Sequence, residues 1–369
     1  MKIGQLTFHA SHNYGSVLQA YALSKQLQLM GYETEFINLR PQSQKDAYQI
    51  IMGSGIHRAF HYLIYPQLKR RYDNFERFIT QVLPVTEKEY ASTDELKKEH
   101  FNYDAYVCGG DQIWNPVCQD FETAYYLQFL TSDNRAKKIS YSPSLGKTKF
   151  DDETLQNISQ WIECFDCISV REQRGAQLIQ KLTDKKVNVV CDPVVLLNKA
   201  EWEKIAIKPK YKKPYILVYF LENNHGSREL IGYLRKMTGY DVVIFNEYLR
   251  DFVKPYHKAY DASPEEFVGL FMNASFIYTN SFHGTAFATI FEKPFISAIA
   301  EDQENVVNNN DSRKIDYLRK IGMENRLYTT GKPTKEYLFH MNFESARVKI
   351  EEYRKLSLDY LKFGLDLER

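Results

Sequence analysis

Apolar runs typical of strands alternate along this chain with stretches in which apolar residues recur at helical spacing. Residues 2–8 predict a strand, residues 15–30 an amphipathic helix that Gly31 ends, and residues 33–38 a second strand. Because the same alternation continues to the C-terminal third, the sequence predicts an α/β fold with largely parallel sheets.

The chain is long enough for two domains, and a polar, proline-flanked stretch at 207–214 is a natural linker. We predict a Rossmann-like domain over residues 1–206, with a helical, strand-poor insertion at about 43–100. A second Rossmann-like domain is predicted over residues 207–341, followed by a C-terminal helix at 342–369 that can cross back to the first domain. Since ligands of such sheets bind at the carboxyl ends of the strands, the two domains are expected to face a cleft.

The strongest local signal lies at residues 279–295, where a buried strand, a polar turn and a helix that begins near Gly284 follow one another. Backbone N–H groups at a helix start carry partial positive charge and form an anion site at the end of a parallel strand. His283 in this turn can titrate near neutral pH. The segment therefore predicts a transferase acting on a phosphorylated or carboxylated substrate.

Two polar turns in the first half of the chain also join a strand to a helix. At residues 9–15, the alternatives are a helix cap by Ser11 or Asn13 and a substrate contact through Asn13. At residues 108–116, two glycines permit close backbone approach, Asp111 can accept a proton from a hydroxyl, and Trp114 can stack on a sugar ring. A Gly-Gly turn capped by Asp is also common without such a function.

A fourth turn contains Arg171 directly after a strand pattern. An arginine there can hold a carboxylate through two parallel N–H bonds, and the alternative is a surface pair with Glu172 that contributes little. No phosphate-binding glycine fingerprint accompanies these turns. Cys164 and Cys167 have redox spacing but lack a second pair, so we expect neither a metal nor a cofactor.

Charge and composition narrow the class of protein. Lys and Arg number 48 against 47 Asp and Glu, a balance that argues against a dedicated nucleic-acid binder. The five cysteines are scattered, no apolar run is long enough for a membrane span, and the chain begins directly with a strand pattern. We therefore expect a cytoplasmic protein with at most peripheral membrane contact.

Taken together and in this order, five motifs resemble the polysaccharide pyruvyl transferase family. They are NYGSVLQAYAL, YDAYVCGGDQIWNP, ISVREQRG, CDPVVLL and TNSFHGTAFATIFEKPF, and the resemblance extends from residue 2 to about residue 325. It implies a GT-B-like fold and transfer of pyruvate from phosphoenolpyruvate to two hydroxyls of a glycan sugar, with formation of a cyclic ketal and release of phosphate. It also implies a sugar acceptor, which in this family is often lipid-linked or nucleotide-linked; for a lipid-linked acceptor, the basic residues 69–71 are a candidate membrane contact.

The resemblance assigns roles to the residues of these turns. It implies that His283 is the general acid, that Arg171 binds the donor carboxylate or phosphate, and that Asp111 is a base or acceptor ligand. Arg313, or another basic residue near it, is expected to complete the donor site. The remaining substrate contacts implied are Asn13, Trp114, Asn280 and Ser281.

Two other functions are compatible with the sequence. The first is a GT-B-type glycosyltransferase that uses a nucleotide sugar, although the second domain lacks an obvious acidic ribose ligand. The second is a non-catalytic glycan-binding protein on the same fold, which the intact polar residues in all four turns disfavour.

Overall fold

The computed structural model describes residues 1–146, 149–221, 225–245, 248–299 and 311–366. Its internal contacts divide the chain into two units. Unit 1 contains Met1–Gln49, Glu76–Leu197 and Glu351–Arg369; unit 2 contains Ile50–Phe75 and Asn198–Ile350.

Unit 1 is built on parallel strands with helices between them. Its strands are β1 (Lys2–Leu6), β2 (Glu33–Leu39), β3 (Val85–Tyr90), β4 (Ala105–Gly109), β5 (Lys137–Tyr141), β6 (Ile168–Val170) and β7 (Val187–Val189). Its helices include α1 (Tyr14–Leu29), α2 (Gln42–Ala47), α5 (Thr93–Leu96), α6 (Asp152–Ile162), α7 (Gln173–Ile179) and α8 (Pro193–Leu196), with a short 3₁₀ turn at Thr123–Tyr126. Helix α4 (Tyr65–Gln81) contributes its C-terminal part.

The strand order in unit 1 is β3-β2-β1-β4-β5, all parallel, and β6 pairs with β7 in parallel. A parallel bridge between Ile139 and Cys167 connects the two groups. Strands β2 and β3 therefore lie on one side of β1, and β4 and β5 lie on the other. This places the topological switch point of a Rossmann-like sheet between β1 and β4.

Unit 2 repeats this plan. Its strands are β8 (Tyr215–Tyr219), β9 (Asp241–Ile244), β10 (His257–Lys258), β11 (Phe276–Thr279), β12 (Phe295–Ala298) and β13 (Leu327–Tyr328). They lie in the parallel order β10-β9-β8-β11-β12-β13, so the switch point lies between β8 and β11. All five residues of β8 are buried, as expected for a central strand covered by helices on both faces.

The helices of unit 2 include one that precedes its sheet in the chain by more than 130 residues. They are α3 (Gly55–Leu63), α9 (Lys199–Glu203), α10 (His225–Thr238), α11 (Leu249–Phe252), α12 (Pro264–Asn273), α13 (Phe282–Ile290), α14 (Asp311–Ile321), α15 (Lys335–Phe339) and the first part of α16 (Glu344–Asp366), with a 3₁₀ turn at Glu324–Arg326. The later part of α16, from Glu351, belongs to unit 1. None of the helices that the structure describes is long and apolar enough to cross a bilayer.

The expectation of a strand-poor segment at 43–100 is wrong at β3. This strand has the sequence VTEKEY and its middle residues are exposed. An edge strand needs few apolar residues, and charges on it prevent further pairing. Hydrophobic patterning therefore could not reveal β3.

Candidate functional site

In unit 1, we use the name first carboxyl edge for the turns that follow the carboxyl ends of the strands. These turns are residues 7–13, 110–116, 142–146, 171–172 and 190–192. In the turn after β1, Asn13 is the N-cap of α1, and its side-chain oxygen accepts hydrogen bonds from the N–H groups of Gly15 (2.8 Å) and Ser16 (3.4 Å). The capping alternative for Asn13 is therefore what the structure contains. Ser11 instead donates to Asp120.

The turn after β4 brings Asp111 to the start of α1. The backbone of Gly109 packs closely against Tyr141, because a Cβ on Gly109 would lie 2.1 Å from the Tyr141 carbonyl oxygen. Asp111 has a φ of 49°, in the left-handed region. The Asp111 carboxylate accepts a hydrogen bond from Ser16, and its backbone oxygen accepts one from Ser144 N at 2.7 Å. A carboxylate held at a helix N-terminus in a strained turn is a candidate functional group.

Trp114 does not face a ligand. It is 0% exposed, stacks on Tyr126 at 4.9 Å, and donates its ring N–H to the carbonyl oxygen of Tyr125. The predicted sugar contact of Trp114 is contradicted, because no face of the ring is open. The apolar character that suggested a sugar platform belongs to the core of unit 1.

Arg171 is a buried arginine rather than half of a surface pair. Its side chain donates from Nε to Glu172 at 3.2 Å and from Nη1 to Asp192 at 2.6 Å, and its exposed fraction is 3%. Burial opposes the charged form, but Glu172, Asp192 and Asp111 outweigh it, so the pKa of Arg171 is raised above its ordinary value. The guanidinium thus joins the end of β6 to Asp192, the N-cap of α8.

Sequence reasoning missed two features of the first carboxyl edge. The turn after β5 contains Ser142 with a φ of 57° and Ser144, whose hydroxyl donates to Glu172. Asp120 is buried and accepts hydrogen bonds from Ser11 (3.2 Å) and Gln44 (3.3 Å). Burial, with the nearby charge of Asp111, raises the pKa of Asp120. Residues 142–144, Ser-Pro-Ser directly after a strand, offered a signal, whereas nothing in the sequence around Asp120 did.

In unit 2, the turn after β11 is part of what we call the second carboxyl edge, residues 220–221, 279–283 and 311–314. Ser281 is the N-cap of α13 and accepts a hydrogen bond from Gly284 N at 3.3 Å. The side chain of Asn280 accepts one from Leu221 N at 2.8 Å. Asn280 therefore joins the ends of β8 and β11, the two strands at the switch point.

His283 occupies the second helical position after the Ser281 cap. Its side chain is buried, with 6% of the residue exposed, and its ring packs edge-on against Phe282 at 5.2 Å. The helix begins at Phe282 rather than near Gly284, so His283 lies in the first turn, where N–H groups face outward. The His283 ring thus lies at a helix start, where outward-facing N–H groups favour an anion.

Two basic residues of α14 lie in the second carboxyl edge. Arg313 is buried in the first turn of α14. Lys314 was not predicted by name from the sequence, and it is 1% exposed. Its ammonium group donates to the carbonyl oxygens of Asn280 (2.7 Å) and Ala298 (2.5 Å) and pairs with Asp311 at 2.6 Å. Lys314 therefore ties the ends of β11 and β12 to α14.

The surroundings of Cys164, His9 and His12 indicate structural rather than catalytic roles. Burial raises the pKa of Cys164 to about 11, which disfavours the reactive thiolate. Burial lowers the pKa of His9 to about 4. His12 pairs with Glu76 at 2.7 Å. Within the described residues, no group of three or more His, Cys, Asp or Glu side chains is arranged to hold a metal ion.

Comparison with solved structures shows likeness in fold. A UDP-N-acetylglucosamine 2-epimerase, described as putative, from Listeria monocytogenes aligns over 100% of this chain and 97% of its own, with a TM-score of 0.52 and 10% identity. Arabidopsis thaliana UGT89C1, complexed with UDP-L-rhamnose, aligns over 99% and 97% with a TM-score of 0.48 and 10% identity. The ADP-heptose heptosyltransferase II of E. coli aligns over 97% and 100%, at 0.37 and 12%. The predicted α/β fold with two Rossmann-like domains is confirmed.

Comparison of sequences identifies the family. No match was found among curated proteins. The family model described as polysaccharide pyruvyl transferase matches residues 13–303, a range that begins at the cap of α1 and includes the turn with His283. The chain belongs to the polysaccharide pyruvyl transferase family.

Proposed function

We propose that this protein transfers pyruvate from phosphoenolpyruvate to two hydroxyls of a glycan sugar, forming a cyclic ketal and releasing phosphate. The observation that carries the proposal is the family match over residues 13–303, which covers the strand-end turns of both Rossmann-like units except residues 7–12 and the start of α14. The donor, the ketal chemistry and the residue roles below are part of the proposal.

The reaction needs an acid, a base and a site for two anionic groups. A proton moves to the methylene carbon of phosphoenolpyruvate as its double bond opens, leaving a cation at C2. One sugar hydroxyl attacks C2 and loses its proton to a base. The second hydroxyl then attacks C2 as the bond from C2 to the phosphate oxygen breaks, and its proton leaves with the departing group as hydrogen phosphate.

We assign the acid to His283 at the second carboxyl edge. Its ring is held by Phe282 in the first turn of α13, beside N–H groups that favour an anion. Arg313 and Ser281 flank the same helix start in this proposal and contact the donor. Asn280 contacts the substrate through its amide.

We assign the base or acceptor contact to Asp111 at the first carboxyl edge, with Asn13 nearby as a polar contact. The Asp111 carboxylate accepts a hydrogen bond from the Ser16 hydroxyl, and a sugar hydroxyl is the same kind of donor. Asp120 is a second candidate base, because it is a buried carboxyl near Asp111 and this burial raises its pKa.

The experiment is a phosphate-release and mass-spectrometric assay with phosphoenolpyruvate and candidate glycans, on wild type and His283→Gln. Loss of a general acid is expected to lower kcat by roughly 10²- to 10⁴-fold. His57→Gln, at an exposed position, is the matched control and should keep full activity. Near-normal ketal formation by His283→Gln at saturating donor contradicts the assignment.

We propose that Arg171 binds the donor. The alternative is that Arg171 has only a structural role, because two carboxylates already pair with it. Arg171→Lys keeps the charge but not the fork geometry. A donor ligand predicts a raised donor KM, whereas a purely structural role predicts a lower melting temperature with an unchanged KM in the folded fraction. Asp192→Asn, which removes one partner, should lower the melting temperature in either case.

Transfer from a nucleotide sugar is the alternative that shares this fold. The same preparations, supplied with radiolabelled nucleotide sugars in place of phosphoenolpyruvate, distinguish the two. Sugar incorporation without phosphate release from phosphoenolpyruvate would replace the proposed function, and glycan binding without either reaction would indicate a binding protein.

A further inference from the structure

Residues 48–72 differ in charge from the rest of the chain. They contain Arg58, Lys69, Arg70 and Arg71 and no Asp or Glu, in a protein whose net charge is +1. The segment includes α3 and the start of α4, and from Ile50 onward it belongs to unit 2. A helical, acid-free stretch of this kind favours a negatively charged partner.

One face of α3 attaches it to unit 2. Phe60 and Ile64 are buried in a cluster with Leu68 and Tyr260, and the Phe60 ring packs edge-on against Phe252 of α11 at 5.4 Å. This contact accounts for the apolar residues at helical spacing on the inner face.

Part of the apolar surface of α3 nonetheless faces solvent. Ile56 is 68% exposed, Tyr62 59% and Leu63 66%. Val253, directly after α11, is 74% exposed, and Phe252 links it to α3. Large exposed apolar groups gathered on one surface indicate an interaction site.

A basic cavity of about 570 Å³ adjoins this surface. Arg235, Lys236 and Lys254 line it, and Lys254 follows Val253 in the chain. It lies at the amino end of β9, since Asp241, the first residue of that strand, is also part of its wall. The cavity is therefore at the opposite edge of the sheet from the turn that contains His283.

We propose that this surface, Ile56, Tyr62, Leu63 and Val253 with the adjoining basic cavity, docks unit 2 on an anionic phospholipid bilayer. An amphipathic helix with exposed Ile, Tyr and Leu beside Arg lies in the plane of a membrane interface, and nearby Lys and Arg side chains are attracted to anionic headgroups. The cavity at Lys254 accepts a phosphate-bearing headgroup. The inference is independent of the reaction that the protein catalyses.

Some of the positive charge is balanced within the protein. Lys69 pairs with Asp73 at 2.5 Å, and Arg70 with Asp261 at 3.4 Å. The attraction is therefore assigned chiefly to Arg58 and to the cavity, both of which are exposed. Apolar insertion supplies the rest, so binding should weaken but persist when salt is raised.

The experiment is cosedimentation of the full chain with vesicles of phosphatidylcholine alone and of phosphatidylcholine with phosphatidylglycerol. Wild type is expected to bind the anionic vesicles and to bind the neutral ones weakly. The double variant Ile56→Glu with Leu63→Glu should lose about 100-fold or more in affinity, and Arg58→Gln with Lys254→Gln should lose roughly fivefold per charge.

The matched control is Val348→Glu with Leu356→Glu on α16, whose side chains are 55% and 49% exposed, and it should bind as wild type does. An unchanged melting temperature confirms that each variant is folded. Failure of wild type to bind anionic vesicles, or equal binding by the Ile56/Leu63 variant, overturns the proposal. So does a dimer in light scattering that this variant makes monomeric, because the surface then contacts a second copy of the chain.

Discussion

At the scale of single residues, burial decides which of the titratable groups near the first carboxyl edge can change charge. His9 is fully buried, stacked on Phe36 at 5.6 Å and within 3.2 Å of both Thr7 O and Asn38 Oδ1. Because the charged ring is penalised inside the core, the pKa of His9 is lowered to about 4. His9 is therefore neutral at pH 7, and a loop histidine next to a strand end becomes part of the core.

The His9 environment predicts an acid-dependent loss of stability. The unfolded chain binds a proton at His9 below its ordinary pKa of 6.5, and the folded chain does not until about 4. Stability from His9 is thus fully present above pH 6.5 and is lost as the pH falls towards 4, by about 3 kcal/mol in total. Urea unfolding of wild type and His9→Gln at pH 7 and pH 4.5 measures it: the loss on acidification should be smaller in the variant.

Exposed His57 provides the comparison for His9. His57→Gln should change the free energy of unfolding at pH 7 by less than about 0.5 kcal/mol. Equal acid sensitivity of His9→Gln and wild type would show that His9 is not the group responsible.

At the scale of elements, each candidate site is a junction in which a side chain stabilises the end of a strand. Asn280 joins β8 to β11, Arg171 joins β6 to α8, and Lys314 joins β11 and β12 to α14. Parallel strands end at one edge of the sheet, so carbonyl and N–H groups there need partners that the ladder does not supply. The polar residues that mark the turns in the sequence supply many of those partners.

Lys314 tests how much such a junction contributes. Lys314→Met leaves the carbonyl oxygens of Asn280 and Ala298 and the Asp311 carboxylate without this buried donor, so we expect a loss of about 3 kcal/mol of unfolding free energy. Chemical denaturation measures the loss. Lys320→Met, exposed on the same helix, should remain within about 0.5 kcal/mol of wild type, and an equally small effect of Lys314→Met would refute the structural role.

At the scale of the whole molecule, α16 completes unit 1 from the far end of the chain. Arg354 donates to Val195 O at 2.7 Å, Ser357 accepts from Cys191 N at 2.9 Å, and Tyr360 donates to Ser140 O at 2.8 Å. These three side chains are buried. The partners lie 159 to 220 residues away in sequence. These hydrogen bonds of unit 1 therefore form only after the last helix has been synthesised.

Removal of residues 351–369 is therefore expected to abolish the cooperative unfolding of unit 1, because buried backbone groups near β5 and β7 lose their partners. The unit 2 segments 50–75 and 198–350 are retained in this truncated chain. Calorimetry should show loss or a large downward shift of one transition. Tyr360→Phe should cost about 1 kcal/mol, and Leu356→Ala, at an exposed position, less than about 0.5 kcal/mol. Unchanged transitions after truncation would contradict the role of α16.

The sequence alone determined the local structure and the family. Apolar patterning predicted β1, α1, β2 and α13, because strands and helices that pack in a core carry distinct apolar patterns. The order of the polar turns identified the family that the model of residues 13–303 confirms. The residue roles and the donor remain predictions.

Tertiary structure decided which side chains are available for chemistry. Trp114 and Arg171 follow strand ends in the same way as Asp111, yet one is core and one is clamped by two carboxylates, since their surroundings come from residues distant in sequence. Helix α3 lies in unit 2, and Lys314 lies beside Asn280, for the same reason. Periodicity reports which face of an element is buried, and only the folded chain decides what covers it.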